Sequence, residues 1–200
     1  MNRNANALAA VLALALLSSS CSSTVEGHPT PAIGDSSVPD GKNAKAPAVP
    51  QPLNVTKYLA DPCTSLTQAH YQRLGAKGPG ERHDNADGNP DCAWRLGKLG
   101  DIQLDVTYFA NVPEGLSRLY ALKTSGYWEK GYFEPTSVDG YPAVYASIGD
   151  WRKDGDCQLN VGASDQLYFF VLVQARPGDD SCTAVRNVAS AVLDTIKKGA

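Results

Sequence analysis

The 200-residue sequence lacks several features that would point directly to a function. No apolar run reaches 18 residues, so no segment is expected to remain as a transmembrane helix. Basic residues are not in excess, with 18 Lys and Arg against 21 Asp and Glu, and they form no basic block. Because nucleic-acid binding requires a basic surface that displaces counterions, we expect no nucleic-acid partner.

The common catalytic and cofactor motifs are also missing. The sequence contains no G-x-S-x-G elbow, S-x-x-K pair, H-E-x-x-H motif or phosphate-binding loop. It contains no C-x-x-C pair, which argues against a thioredoxin-like redox site and the common zinc sites. We therefore expect no cofactor, no metal and no catalytic site, and predict that the protein is not an enzyme.

The N-terminus has the organisation of a secretory signal peptide. Arg3 precedes an apolar run of 11 residues, Ala7–Leu17, and three serines separate that run from Cys21. As a helix the run would extend roughly 17 Å, which is too short for a bilayer core of roughly 30 Å. We expect it to direct export and to be removed.

The position of Cys21 resembles the acylated cysteine of bacterial lipoproteins. Their signals usually carry a leucine three residues before the cysteine, whereas here Leu17 lies four residues before it and Ser18 takes its place. The alternative is ordinary cleavage near Ser20, which would leave Cys21 as a spare thiol. The sequence has five cysteines, so acylation of Cys21 leaves an even number for disulfides. We therefore predict a lipid anchor in the cell membrane, with the protein on its extracytoplasmic face.

The remaining chain divides by composition into a linker and one domain. Residues 1–20 are the expected signal peptide, and residues 21–52 are rich in proline, serine and glycine and have no aromatic residue. Such a segment cannot bury enough apolar surface to offset the entropy of ordering, so we predict a disordered tether. Residues 53–200 are long enough for a single domain with its own core.

Apolar periodicity across this domain predicts an α+β fold. The expected order is helix, two strands, helix, four strands, helix, with a hairpin turn at Asp139-Gly140. The first helix is expected to start at Asp61-Pro62, and the last is amphipathic and capped by Asp180 or Ser181. Strands linked by hairpins and interrupted by helices predict an antiparallel β-sheet with about three helices packed on one face.

The four cysteines of the domain are expected to form two disulfides in an oxidising compartment. Four cysteines allow three pairings, and sequence alone does not select one. We favour Cys63–Cys92, which would fasten the first helix to the first strand, and Cys157–Cys182, which would fasten the last hairpin to the last helix.

The order of several short motifs resembles one family. Asp61-Pro62-Cys63, Cys92-x-Trp94 and Val138-x-Gly140-x-Pro142-Ala143, followed by Cys157 and Cys182, are similar to the actinobacterial lipoproteins grouped as domain of unknown function 3558. The resemblance covers roughly residues 53–198. It implies a location in the cell envelope and the same two disulfides, and it supplies no catalytic residues.

One aromatic-rich segment is the best candidate for ligand binding in the sequence. Tyr127, Trp128, Tyr132 and Phe133, together with Trp151, would offer an exposed platform for a sugar, a peptide or a lipid tail. The alternative is that these side chains form a buried lid over the end of the sheet, which is the more common role for aromatic residues in such a connection.

Two further polar patterns are weaker. Asp87, Asn89 and Asp91 alternate like calcium ligands, but proline interrupts them and no bidentate glutamate follows, so a polar turn explains them better. His83, with Asp84 and Asp87 nearby, offers acid and base groups for a hydrolase.

We expect a non-enzymatic envelope component that binds a small ligand or a protein. The alternatives are a cell-envelope hydrolase with an unrecognised acid/base site and a purely structural envelope protein.

Overall fold

The computed structural model describes residues 45–84 and 86–199, which belong to one compact unit. The predicted signal peptide, Cys21 and most of the predicted tether lie outside the described residues.

The centre of the fold is a seven-stranded sheet in which every neighbouring pair is antiparallel. Its spatial order is β1-β2-β3-β7-β6-β5-β4. The strands are β1 (Glu81–Asp84), β2 (Pro90–Leu96), β3 (Ile102–Phe109), β4 (Tyr132–Val138), β5 (Tyr141–Ser147), β6 (Asp156–Ser164) and β7 (Leu167–Gln174).

Among the described residues, four α-helices and two short 3₁₀ helices accompany the sheet. The α-helices are α1 (Thr56–Ala60), α2 (Gln68–Arg73), α3 (Ser117–Thr124) and α4 (Ser181–Lys198), and the 3₁₀ helices are Pro62–Ser65 and Arg152–Asp154. The predicted α+β class and antiparallel sheet are confirmed.

Helix α4 forms the main core with the sheet, as its apolar periodicity predicts. Val185, Val188, Val192 and Leu193 are fully or almost fully buried against one sheet face. Burying an aliphatic side chain of this size contributes roughly 1.5–3 kcal/mol. The Asp180 carboxylate accepts a hydrogen bond from the Thr183 amide and caps the helix, so the predicted cap is confirmed.

Helix α3 lies on the other face of the sheet, which differs from the prediction of helices on one face. Leu116, Leu119 and Tyr120 form a second cluster with Val144 of β5 and Tyr168 of β7. Val144 and Tyr168 alternate along their strands with residues of the α4 core, so their side chains point away from α4. Strands β5 and β7 both carry apolar residues on two faces, and α3 buries those that point away from α4.

The first helical region is divided, whereas the sequence predicts one helix starting at Asp61. Asp61 makes no side-chain capping hydrogen bond, and the chain runs as α1, a 3₁₀ turn and α2. Thr67 caps α2 instead, because its hydroxyl accepts a hydrogen bond from the His70 amide. The turn at Pro62 lets Cys63 reach the sheet.

Strand β1 was not predicted, because its sequence is polar. The predicted order has two strands between the first two helices, whereas the structure has three, because Glu81–Asp84 pairs with β2 at the edge of the sheet. An edge strand forms ladder hydrogen bonds with one neighbour only. Its side chains can remain exposed to solvent, so the strand needs no apolar residues. Apolar alternation therefore gives no signal for this strand.

Both favoured disulfides are present. Cys63 bonds to Cys92 and Cys157 bonds to Cys182, across sequence separations of 29 and 25 residues. The first links the 3₁₀ turn to β2, and the second links β6 to α4. Cys92 and Cys157 are fully buried, so both links lie in the α4 core.

The last residues of the predicted tether pack on the domain. The Ala46 amide donates to the Ser117 hydroxyl, and the Val49 amide donates to an Asp165 carboxylate oxygen at 3.0 Å. Gln51 accepts a hydrogen bond from the Tyr141 hydroxyl. The described domain therefore begins before residue 53, because backbone groups of residues 45–52 form hydrogen bonds with Ser117, Asp165 and Tyr141.

In the part of the chain that the structure describes, no helix has the length and apolar content needed to cross a membrane.

Candidate functional site

The face opposite α4 carries a polar cavity over strands β1, β2 and β3, which we call the sheet groove. Its volume is about 640 Å³. It is lined by Lys77, Gly78, Pro79, Glu81, His83, Asp91, Ala93, Arg95, Gln103 and Asp105. Because α3 covers the other half of this face, near β4 and β5, the half over β1–β3 stays open.

Strand register explains why the groove is concave. Ala93 on β2 is paired with Glu81 on one side and with Asp105 on the other. Side chains of directly paired residues lie about 5 Å apart, so a methyl group stands between two longer carboxylate side chains. The small residue leaves a hollow at the centre of the groove.

Asp105 is the most unusual residue in the groove, because it is only 8% exposed. Both of its carboxylate oxygens accept hydrogen bonds from Gln103 Nε2, at 3.0 and 2.8 Å. The pKa of Asp105 is raised to about 6, mainly by burial and also by the nearby charge of Asp91, while the Gln103 hydrogen bonds, Arg95 and His83 oppose the rise. Keeping this carboxylate ionised therefore lowers the stability of the folded state.

Arg95 is the nearest cation to Asp105 along the β2–β3 ladder, yet the two do not pair. Arg95 faces Gln103 while Asp105 faces Ala93, so Arg95 and Asp105 are diagonal neighbours on the same sheet face. Within residues 45–84 and 86–199, neither side chain forms an ion pair. The groove thus holds an anionic and a cationic group that are close together and not joined.

The other end of the groove is also charged. His83 Nε2 lies 3.9 Å from a Glu81 carboxylate oxygen, and both side chains are exposed. Asp91 faces His83 in the ladder and accepts a hydrogen bond of 2.6 Å from the Thr107 hydroxyl. Charged and hydrogen-bonding side chains therefore line this end of the groove as well.

The predicted hydrolase residues are divided by the structure. His83 lines the sheet groove, whereas Asp87 does not line it. Asp84 ends β1. The pattern Asp87, Asn89, Asp91 is divided too, because Asp91 lies in β2 and Asn89 is buried before it. Among the described residues, no group of three His, Cys, Asp or Glu side chains could hold a metal ion.

The predicted aromatic platform is also divided. Tyr132 and Phe133 lie in β4 rather than in a loop, so their side chains point to opposite faces of the sheet. Tyr132 is 6% exposed and lies under the Arg152 guanidinium, 4.2 Å from the ring centroid. Phe133 packs edge-on against Tyr120 with a centroid distance of 5.0 Å.

Trp128 belongs to the α3 cluster rather than to an open surface. Its Nε1 donates a hydrogen bond of 3.1 Å to the Leu119 carbonyl, and its ring packs on Phe133. Tyr127 and Trp151 are 53% and 43% exposed. Trp128, Tyr132 and Phe133 thus act as core residues, and only Tyr127 and Trp151 have substantial exposure.

Most of the groove was missed by sequence reasoning. Asp105 occupies a polar position of an alternating strand, which is normally a solvent-exposed position. The signal that was available is the pairing of two neighbouring strands whose outward residues are Asp91, Ala93 and Arg95 on one and Gln103, Asp105 and Thr107 on the other. Only the addition of β1 converts this face into a cavity, and β1 has no apolar pattern.

The fold and site define a class: a small α+β domain stabilised by two disulfides, with α4 on one sheet face and a polar groove on the other. The chain belongs to the family described as "Protein of unknown function (DUF3558)", which matches residues 16–195. No curated protein and no solved structure matches the chain significantly.

Proposed function

We propose that this protein is an exported lipoprotein, anchored through a lipid on Cys21, whose domain binds a ligand in the sheet groove without transforming it. It would stand on the extracytoplasmic face of the cell membrane. Its partners would be the membrane itself, through the lipid, and a small ligand or envelope protein.

The observation that carries this proposal is the state of the cysteines. The sequence has five cysteines, and four of them pair as Cys63–Cys92 and Cys157–Cys182. Structural disulfides persist in oxidising compartments and are rare in the cytosol. Cys21 is the one cysteine that remains, at the end of the apolar N-terminal segment where lipoprotein signals place the acylated residue.

The tether gives the anchor a physical role. From Cys21 to Lys45, where the described domain begins, the chain has 24 residue steps. As a flexible coil such a segment would average roughly 27 Å from end to end. This spacing would hold the domain clear of lipid headgroups and leave the groove accessible.

Binding is favoured over catalysis by the contents of the groove. Concave sites with a few convergent polar groups are typical of ligand binding. The predicted acid and base residues do not all lie in the groove, since His83 lines it and Asp87 does not.

A hydrolase remains the second candidate, supported by one observation. His83 and Asp105 line the same cavity, and the pKa of Asp105 is raised to about 6, near the range that general acids use. Turnover of an envelope-derived substrate that is lost in Asp105→Asn would favour this candidate.

Membrane attachment is tested by detergent phase partitioning of cell extracts. The wild-type chain should enter the detergent-rich phase, and Cys21→Ser should remain in the aqueous phase. Ser23→Ala is the matched control and should behave as wild type. Equal partitioning of Cys21→Ser and wild type would refute the lipid anchor. Crosslinking in intact membranes, with Asp105→Asn as the comparison, would then show whether a bound partner depends on the groove.

A further inference from the structure

The sheet groove combines charges of both signs without joining them. On its floor, Asp105 and Arg95 occupy diagonal positions on paired strands, where side chains are about 7–8 Å apart. Lys77 adds a second cation at the wall, and Glu81 adds a second anion beyond Ala93. A site of this kind is complementary to a ligand that carries both charges.

The Asp105 carboxylate is the anionic half of the site. A buried ionised carboxylate is destabilising unless a cation or several donors compensate its charge. Here the only hydrogen bonds to the carboxylate within the described residues come from the Gln103 amide, and the charges of Arg95 and His83 act on it without a direct ion pair. An ammonium group placed over Ala93 would supply the missing positive charge.

Arg95 provides the other half. Its guanidinium is exposed, lines the cavity and, within the described residues, makes no ion pair. A guanidinium presents paired donors that match a carboxylate. A ligand carboxylate next to the ammonium would lie on this side of the hollow.

A metal ion does not fit the same groups. The carboxylates of Glu81, Asp91 and Asp105 do not approach one another closely enough to share an ion, since no such group exists among the described residues. The volume of about 640 Å³ also exceeds what a single ion needs and matches a small organic molecule.

We propose that the sheet groove binds a small zwitterion of amino-acid or dipeptide size, with its ammonium group between Asp105 and Glu81 and its carboxylate on Arg95. The proposal rests on the ligand-binding role proposed above and does not depend on the lipid anchor.

Three matched probes test the charge requirement: glycylglycine, which is zwitterionic, glycylglycinamide, which is a cation, and N-acetylglycylglycine, which is an anion. Each is titrated into the ¹⁵N-labelled mature chain in detergent micelles, and amide shifts are followed by NMR. Glycylglycine should give saturable shifts centred on Ala93, Gln103 and Asp105, and each single-charge probe should bind at least about tenfold more weakly, since each loses one charge-assisted contact.

Two site variants and one control identify the residues. Asp105→Asn and Arg95→Gln should each weaken glycylglycine binding at least about tenfold, and Asp154→Asn, in the exposed turn before β6, should leave it unchanged. Equal binding of the cation and the zwitterion would overturn the role of Arg95. No saturable shift in the groove with any probe would overturn the zwitterion site, whereas the proposed lipoprotein role would fail separately in the partitioning assay.

Discussion

Asp105 on β3 lies directly opposite Ala93 on β2, which places a buried carboxylate beside a methyl group on the open face of the sheet. A larger residue at 93 would fill the hollow, and a cation there would neutralise the acid. Ala93 does neither, so the protein keeps a destabilising carboxylate in an accessible cavity. Retaining such a group at the expense of stability is typical of functional sites.

The first prediction concerns the pH dependence of stability. Burial raises the pKa of Asp105 from 3.8 to about 6, so the folded state holds this proton more tightly than the unfolded state. Ionisation of Asp105 therefore lowers the free energy of unfolding. The full effect is present above about pH 6 and is absent below pH 3.8. Asp105→Asn should be more stable than wild type by about 1–3 kcal/mol at pH 7.5.

The measurement is urea unfolding of both proteins between pH 4 and 7.5. The advantage of Asp105→Asn should shrink toward pH 4, because wild-type Asp105 then becomes neutral. Asp154→Asn, at an exposed site, is the control and should show no such trend. A pH-independent difference between the two proteins, or an Asp105→Asn variant less stable than wild type at pH 7.5, would show that ionised Asp105 does not destabilise the fold.

The second prediction concerns Gly80, which lies in the chain between the groove residues Pro79 and Glu81. A Cβ at this position would overlap the Cys92 Sγ atom and the Trp94 ring, both buried in the α4 core. Gly80→Ala should therefore lower the free energy of unfolding by about 2 kcal/mol or more. Gly78→Ala is the matched control, because nothing lies within 4 Å of a Cβ there. Equal unfolding midpoints for the two variants would contradict the close packing at Gly80.

The third prediction separates the aromatic residues by role. Trp128→Ala removes the hydrogen bond to Leu119 and the packing on Phe133, and should cost about 2–4 kcal/mol of unfolding free energy. Trp151→Ala removes a side chain that is 43% exposed and should cost about 1 kcal/mol or less. Chemical denaturation measures both values. A larger loss for Trp151→Ala would reverse the assignment of core and surface.

The fourth prediction concerns the disulfides. Replacing Cys63 and Cys92 together by alanine, or Cys157 and Cys182 together, should each lower the free energy of unfolding by about 3–4 kcal/mol, because the loops they close are of similar length. Cys21→Ser should have no effect on folding. Unchanged stability in both double variants would contradict a stabilising role.

Sequence reasoning predicted those elements whose signal is local. The apolar repeat of α4, its cap at Asp180 and the turn at Asp139-Gly140 are set by neighbouring residues, and the structure has all three. The structure also has the two favoured disulfides, a pairing that the sequence alone does not select and that the family resemblance implies.

Features that depend on distant partners were not predicted. Whether α3 packs on one face or the other depends on which sheet positions remain uncovered, such as Val144 and Tyr168. The separation of Tyr132 from Phe133 follows from β4 starting earlier than the apolar pattern indicates. The sheet groove needs β1, whose polar sequence Glu81–Asp84 gives no strand signal.

The most direct test of the whole account is the intact mass of the protein isolated from its own membranes, with alkylation under denaturing, non-reducing conditions. A lipoprotein with both disulfides should give a chain that starts at Cys21, carries a lipid on that residue and takes up no alkylating reagent. Non-reducing peptide maps should then link Cys63 to Cys92 and Cys157 to Cys182. A chain that starts at Met1 and is alkylated at the domain cysteines would contradict it.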